Sequence, residues 1–228
     1  MFLAREKIKG LAGEGRLIED NYDSKYVRQC SYDLRLGSDF YVGGKSAPEK
    51  LTEELPYLTL APGQFAILTC YESINLQDTG KHNYMAFIAL RSTFKMQGLV
   101  NISGFHVDPT HRGTLLFAVQ NVGPSDILLK YREPTFTIFF ALVTGDIGSP
   151  RKDEQGIHFK PKLEGIPLQN AQNLGGRGVT ISELRKEIVE LRRIVLVYGP
   201  IVVAALIALF ANLVRNLGGA PTLPPPVR

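Results

Sequence analysis

Residues 194–214, IVLVYGPIVVAALIALFANLV, run for 21 positions without a charged side chain. At about 1.5 Å of rise per helical residue this is roughly 30 Å, the thickness of a bilayer's hydrocarbon core. The alternative is a core helix of a soluble protein, but such helices seldom run this long without a charge. The stretch divides the 228-residue chain into a water-soluble body and a membrane segment. Gly199, Pro200 and Asn212 are tolerable inside a membrane helix, and Pro200 is expected to bend it. Arg185, Lys186, Arg192 and Arg193 precede the span, whereas Arg215 and Arg228 follow it. The positive-inside bias then predicts a single-pass protein with its N-terminal body in the cytoplasm.

Immediately upstream, TISELRKEIVELRRIV places Ile181, Leu184, Ile188, Leu191 and Val195 at alternating spacings of three and four, the seam of a coiled coil. Thr180 and Glu183 have the spacing of a capping box at its start. Only about two heptads are covered, fewer than would hold alone, so an amphipathic stalk lying on the body is the competing reading. The final GGAPTLPPPVR is too short and Pro-rich to fold. The expected organisation is a body over 1–146, a linker over 147–179, a coiled-coil stalk over 180–193, a transmembrane helix over 194–214 and a Pro-rich tail over 215–228.

The body reads as mainly β. FAILTCYESINL, YMAFIAL, TLLFAVQNV and PTFTIFFALV are short runs rich in aromatic and β-branched residues, separated by turn signals. Helical periodicity is confined to REKIKGLAGEGRL, with Ile8, Leu11 and Leu17 on its apolar side. An all-β barrel or jelly roll behind one short helix is the economical fold. Residues 1–179 carry 20 Lys/Arg against 19 Asp/Glu, while 180–228 carry six against three. The basic excess therefore lies near the C-terminus, and the body has no basic stripe interleaved with aromatics. A nucleic-acid polymer is not an expected partner. Cys30 and Cys70 have no metal-like spacing and point to neither a zinc site nor a disulfide framework. MFLAREKIKG becomes charged before an apolar core can form, so no signal peptide is expected.

Two polar stretches interrupt the apolar runs. In HVDPTHRGTLLFAVQN, residues 106–121, an Asp-Pro turn gathers Asp108, His106 and His111. Such an Asp is often only turn chemistry, accepting local backbone N–H groups, and histidines near turns are often surface groups. In ALRSTFKMQGL, residues 89–99, one loop is expected to present Arg91, Ser92, Thr93 and Lys95, a set suited to phosphate oxygens. An acidic and a basic loop between strands together resemble a nucleotide site.

The collinear set LAGEGRLI, SYDLRLGSDFYV, LAPGQFAILTCYESINL, ALRSTFKMQGL, HVDPTHRGTLLFAVQNVG and LLKYREPTFTIFF resembles the dCTP deaminase branch of the dCTP deaminase/dUTPase superfamily over about residues 1–143. The resemblance implies a distorted jelly-roll β-barrel of dUTPase type, assembled as a homotrimer. It also implies nucleotide sites between subunits, with Mg2+ carried by the bound triphosphate. A trimer would give the Ile/Leu stalk its partners.

Residue by residue, the resemblance implies a depleted site. Arg91 and Ser92 match the Arg-Ser that opens the phosphate motif, and Thr93 falls on its following small residue. Asp108 matches the Asp that activates water in dUTPases and lines the sugar in deaminases. The deaminases' proton-shuttling Glu, ten residues later, is replaced by Ala118, which carries no proton. A second Arg of the phosphate loop falls at Met96, beside Lys95. His106 stands for an Arg, His111 for an aromatic residue and Thr137 for a Gln. The family's C-terminal lid has no match in GIHFKPKLEGIPLQN. Loss of a proton shuttle costs on the order of a hundred- to ten-thousandfold in rate. Two classes of function remain: a membrane-tethered nucleotide-binding sensor, effector or scaffold, or a hydrolytic nucleotide enzyme using Asp108 and water.

Overall fold

The computed structural model describes residues 1–77, 83–145, 165–166 and 181–217. In chain order the elements are α1 (Arg5–Gly13), β1 (Leu17–Asp20), β2 (Tyr32–Val42), β3 (Glu49–Lys50), β4 (Tyr57–Leu60), β5 (Phe65–Asn75), β6 (Asn83–Leu90), α2 (Ser92–Met96), β7 (Leu99–Asn101), β8 (His106–Val107), β9 (Arg112–Asn121), β10 (Ile127–Lys130), β11 (Pro134–Val143) and α3 (Ile181–Leu217). The chain divides into two units, Met1–Ser182 and Glu183–Arg228.

The first unit is a curled antiparallel sheet of jelly-roll type. Its strands run β7-β9-β5-β2-β11-β6-β8, with β1 added to β5 and β3 to β2, while β10 and β4 form a separate ribbon. The alternation in the sequence sets the two faces. Along β9, Gly113, Leu115, Phe117, Val119 and Asn121 are buried, and Arg112, Thr114, Leu116, Ala118 and Gln120 face outward. The inward faces meet in one core, where Phe117 stacks on Phe136 beside Tyr32, Leu34, Leu68 and Phe140.

Breaks in register curl the sheet. They fall between Leu36 and Phe40 where β2 meets β5, between Thr69 and Ser73 where β5 meets β9, and between Pro134 and Phe136 where β11 meets β2. Gly37 lies in the first break, where a Cβ would stand 2.7 Å from the Cys70 carbonyl oxygen. Glycine is the residue that permits this approach.

Beside these breaks a buried polar network joins β2 to β5. The Glu72 carboxylate accepts from Arg35 Nε at 2.6 Å, the Arg35 backbone N–H at 2.9 Å and the Tyr32 hydroxyl at 3.2 Å. The Arg35 guanidinium lies over the Tyr26 and Tyr71 rings and donates to the Asn21 carbonyl. Burial pushes the Glu72 carboxyl up from its ordinary range, opposed by Arg35, and pushes the Cys70 thiol up as well.

Two details depart from the sequence reading. The helical start ends at Gly13, and Leu17 belongs to β1, because Gly15 takes a positive φ of 73° that breaks the helix. Residues 92–96 are not loop but the short helix α2, nucleated by burial of Phe94 and by the Arg91 carbonyl, which accepts from the Phe94 and Lys95 N–H groups.

The second unit is the helix α3, which continues through Pro200. Its segment Glu187–Arg215 reaches a mean hydropathy of 2.7, long and apolar enough to cross a membrane. Ile188, Leu191 and Val195 are exposed on it. The side chains of Ile181 and Leu184 lie outside the described residues, as do the expected linker, apart from Gly165 and Ile166, and the tail beyond Leu217.

Candidate functional site

The Asp-Pro stretch forms a tight turn between β8 and β9. The His111 N–H donates to the Asp108 carbonyl at 3.0 Å. The turn is tied to the end of β5 by Leu76 N–H to the His111 carbonyl, 2.9 Å, and Gln77 Nε2 to the Thr110 carbonyl, 2.8 Å. These bonds hold the backbone and leave the Asp108 side chain two-thirds exposed, with His106 Nε2 3.7 Å from its Oδ1. His111 Nε2 lies 3.3 Å from the Gly113 carbonyl. His106, Asp108, Thr110 and His111 line one cavity of about 190 Å³ with Ser103, above an apolar wall that includes Leu116.

Ala118 lies on the outer face of β9, opposite Ile67 of β5. Its carbonyl accepts the Ile102 N–H at 2.8 Å, which holds the Asn101–Gly104 turn that forms part of the cavity wall. Next to it on this face, Leu116 packs with Tyr41, Ile67 and Ile166. Leu116, Ile67 and Ile166 are apolar and Tyr41 carries a phenol, so none of these four bears a carboxylate.

The basic group assembles elsewhere. Arg91 caps α2, and its N–H donates to the Thr135 carbonyl of β11 at 3.0 Å. Its guanidinium points toward the buried carboxylate of Asp33 in β2, with Nε 4.0 Å from Oδ2. Arg28 reaches the same oxygen through Nε at 2.8 Å and Nη2 at 2.7 Å. The Thr137 hydroxyl donates to Oδ1 at 3.3 Å. Ser92, Thr93 and Lys95 are exposed on α2, and Met96 is 87% exposed.

Sequence reasoning missed Asp33 and Arg28. The available signal was a carboxylate inside the apolar run of SYDLRLG, a residue that a half-buried strand keeps only if something pairs with it.

Strand register relates the two groups. Asp33 pairs with Thr137 and Thr137 with Ala89, while Phe139 pairs with Phe87 and Phe87 with His106. Directly paired residues share a face, so both groups lie on the outer side of the same sheet. Three strand spacings separate Asp33 in β2 from His106 in β8, roughly 15 Å along the sheet, so one phosphate cannot touch both of these residues. Among the described residues, no three His, Cys, Asp or Glu side chains gather as metal ligands.

Comparison with known proteins places this fold. The profile of the dCTP deaminase-like family matches residues 2–142. The dCTP deaminase of Thermococcus kodakarensis is 29% identical over 141 residues, covering 61% of this chain and 86% of that protein. The dUMP-forming dCTP deaminase of Methanosphaera stadtmanae is 22% identical over 204 residues, 81% of this chain and 94% of that one. The crystal structure of 2'-deoxycytidine 5'-triphosphate deaminase from Agrobacterium tumefaciens superposes with a TM-score of 0.50 at 19% identity, covering 63% of this chain and 49% of that chain. With a curled antiparallel sheet, a polar turn at Asp108 and a matching profile over more than half its length, the chain belongs to the dCTP deaminase-like family.

Proposed function

We propose that this protein is a membrane-anchored homotrimer that binds a deoxynucleotide without deaminating it, and acts as a sensor, effector or scaffold. The observation that carries the reading is Ala118. By the family resemblance it occupies the position of the proton-shuttling Glu, and its methyl side chain, opposite Ile67, carries no proton. The phosphate half retains Arg91, Ser92 and Thr93, with Lys95 one turn on. His106, Asp108 and His111 line the cavity that would take sugar or base.

We infer, as the family resemblance implies, that the site is completed between subunits, with α2 of one copy facing the Asp108 turn of another. Mg2+ would be carried by the phosphates of a bound triphosphate, as the family resemblance implies. In this reading residues 1–146 form the binding body, 147–179 link it to a coiled-coil stalk over 180–193, and 194–214 cross the bilayer once with the body in the cytoplasm. Residues 215–228 emerge on the far side as a Pro-rich tail.

The competing reading is a dCTP deaminase or dUTP diphosphatase in which Asp108 activates water, favoured by the 3.7 Å approach of His106 to Asp108 inside the cavity. Incubating the detergent-solubilised chain with Mg2+ and dCTP, dUTP or dTTP, while following ammonia, pyrophosphate and melting temperature, separates the two. A melting shift without product is the expected result. Turnover that disappears in Asp108→Asn would establish the enzyme instead.

A further inference from the structure

The Asp33 cluster carries more positive charge than its carboxylate neutralises. Two guanidiniums converge on one oxygen, leaving a net charge of +1 around a carboxylate whose side chain is 6% exposed. Arg28 is 48% exposed and Arg91 35%, so both present N–H groups to solvent while their positions are set from beneath. Arg28 uses Nε and Nη2 on Asp33, which leaves its Nη1 donors for another acceptor. Arg91 reaches Asp33 at 4.0 Å, beyond hydrogen-bond range, so its donors are not spent on that carboxylate. Two guanidiniums preoriented on a buried acid are suited to the oxygens of a polyphosphate, which they meet with paired N–H groups and at reduced entropic cost.

Arg28 does not belong to the phosphate motif that begins at Arg91. It lies just before β2, close in sequence to Asp33, whereas Arg91 comes from the far end of β6. Met96 leaves the motif itself one cation short, and Arg28 restores the count from outside it.

We propose that Arg28 is the second guanidinium of a polyphosphate clamp, and that Asp33, fixed by Thr137, is the positioning residue holding Arg28 and Arg91 side by side. The ligand class is a nucleoside polyphosphate engaged through its phosphates. The inference rests on the nucleotide-binding reading above for the nucleoside part alone, because the clamp recognises phosphate.

The test is calorimetric titration of the full chain in detergent with inorganic tripolyphosphate, dCTP and dCMP in the presence of Mg2+, comparing the wild type with Arg28→Gln and Arg28→Lys. Arg28→Gln is expected to weaken tripolyphosphate and dCTP by about ten- to a hundredfold while leaving dCMP nearly unchanged. Arg28→Lys, which keeps the charge without the fork, falls between the two. It also serves as the readout if Arg28→Gln does not fold. A purely structural Arg28 would lower dCTP and dCMP binding alike, and that result overturns the clamp. If wild-type dCTP binding is indifferent to Arg28→Gln, the clamp falls and the nucleotide reading stands. If tripolyphosphate binds and Arg28→Gln abolishes it while dCTP binds no better than tripolyphosphate, the clamp stands and the nucleotide reading falls. A wild type that binds none of the three ends both.

Discussion

The clusters around Asp33 and Asp108 sit on one face of one sheet, yet they are built on opposite principles. Asp33 is buried, accepts from Arg28 and Thr137, and stands in β2, the strand whose Arg35 is locked into Glu72. Asp108 is exposed on a turn held only through its backbone, with one histidine at 3.7 Å. The first arrangement orients charge in advance and suits recognition. The second leaves its carboxylate exposed and adaptable, with His106 beside it. The difference teaches that one sheet face can carry a charge cluster fixed by a buried acid beside a turn whose carboxylate is left to solvent.

The comparison breaks most visibly if the rigidity of β2 is removed. Glu72→Ala leaves the Arg35 guanidinium, 10% exposed, without its carboxylate, and is expected to cost about 3–5 kcal/mol in denaturant unfolding. The same variant should loosen the Asp33 cluster, read as a fall in tripolyphosphate affinity. Asp33→Ala comes next, at about 1–3 kcal/mol, because its arginine partners are partly solvated and lose less than buried ions would. Equal losses of tripolyphosphate and dCMP binding in Asp33→Ala would deny this cluster its role in choosing polyphosphates.

A pH series sharpens the point about burial. Because burial raises the Glu72 carboxyl above its ordinary 4.5, the folded state holds that proton more tightly than the unfolded chain does. The stability it contributes is complete below the ordinary glutamate range and declines as pH rises toward the raised value. The stability of wild type minus Glu72→Gln is therefore expected to fall with rising pH across that window. A difference that rises instead would mean that attraction to Arg35 outweighs burial. The smallest effect belongs to Asp108→Ala, within about 0.5 kcal/mol of wild type in thermal unfolding, since its exposed carboxylate supports little packing. A loss as large as that of Asp33→Ala would erase the contrast between the two clusters.

Much of the architecture was legible in advance because it depends on local pattern. The runs around 65–75, 84–90, 114–121 and 134–143 appear as β5, β6, β9 and β11, and the apolar stretch lies within α3. Residues 92–96 read as loop in the sequence because a single buried residue, Phe94, turns them into helix, and one residue makes no periodicity. His106 and His111 do meet Asp108 at one cavity, which their closeness in sequence made legible. Arg91 could not be connected to Arg28 that way, since nothing local to Arg91 names Asp33, which lies close to Arg28 in sequence, as the shared partner.

What the sequence determined by itself is what individual side chains and short-range periodicity can decide. Ala118 cannot carry a proton in any fold, and 21 uncharged residues form a helix long and apolar enough to cross a bilayer. Tertiary structure alone decided that Arg28, Asp33, Arg91 and Thr137 form one cluster, and that Arg35 and Glu72 pair across 37 positions. Such meetings follow from strand register and from the bulges that curl the sheet. A shift of one residue in β2 would turn Asp33 to the opposite face and dissolve the clamp.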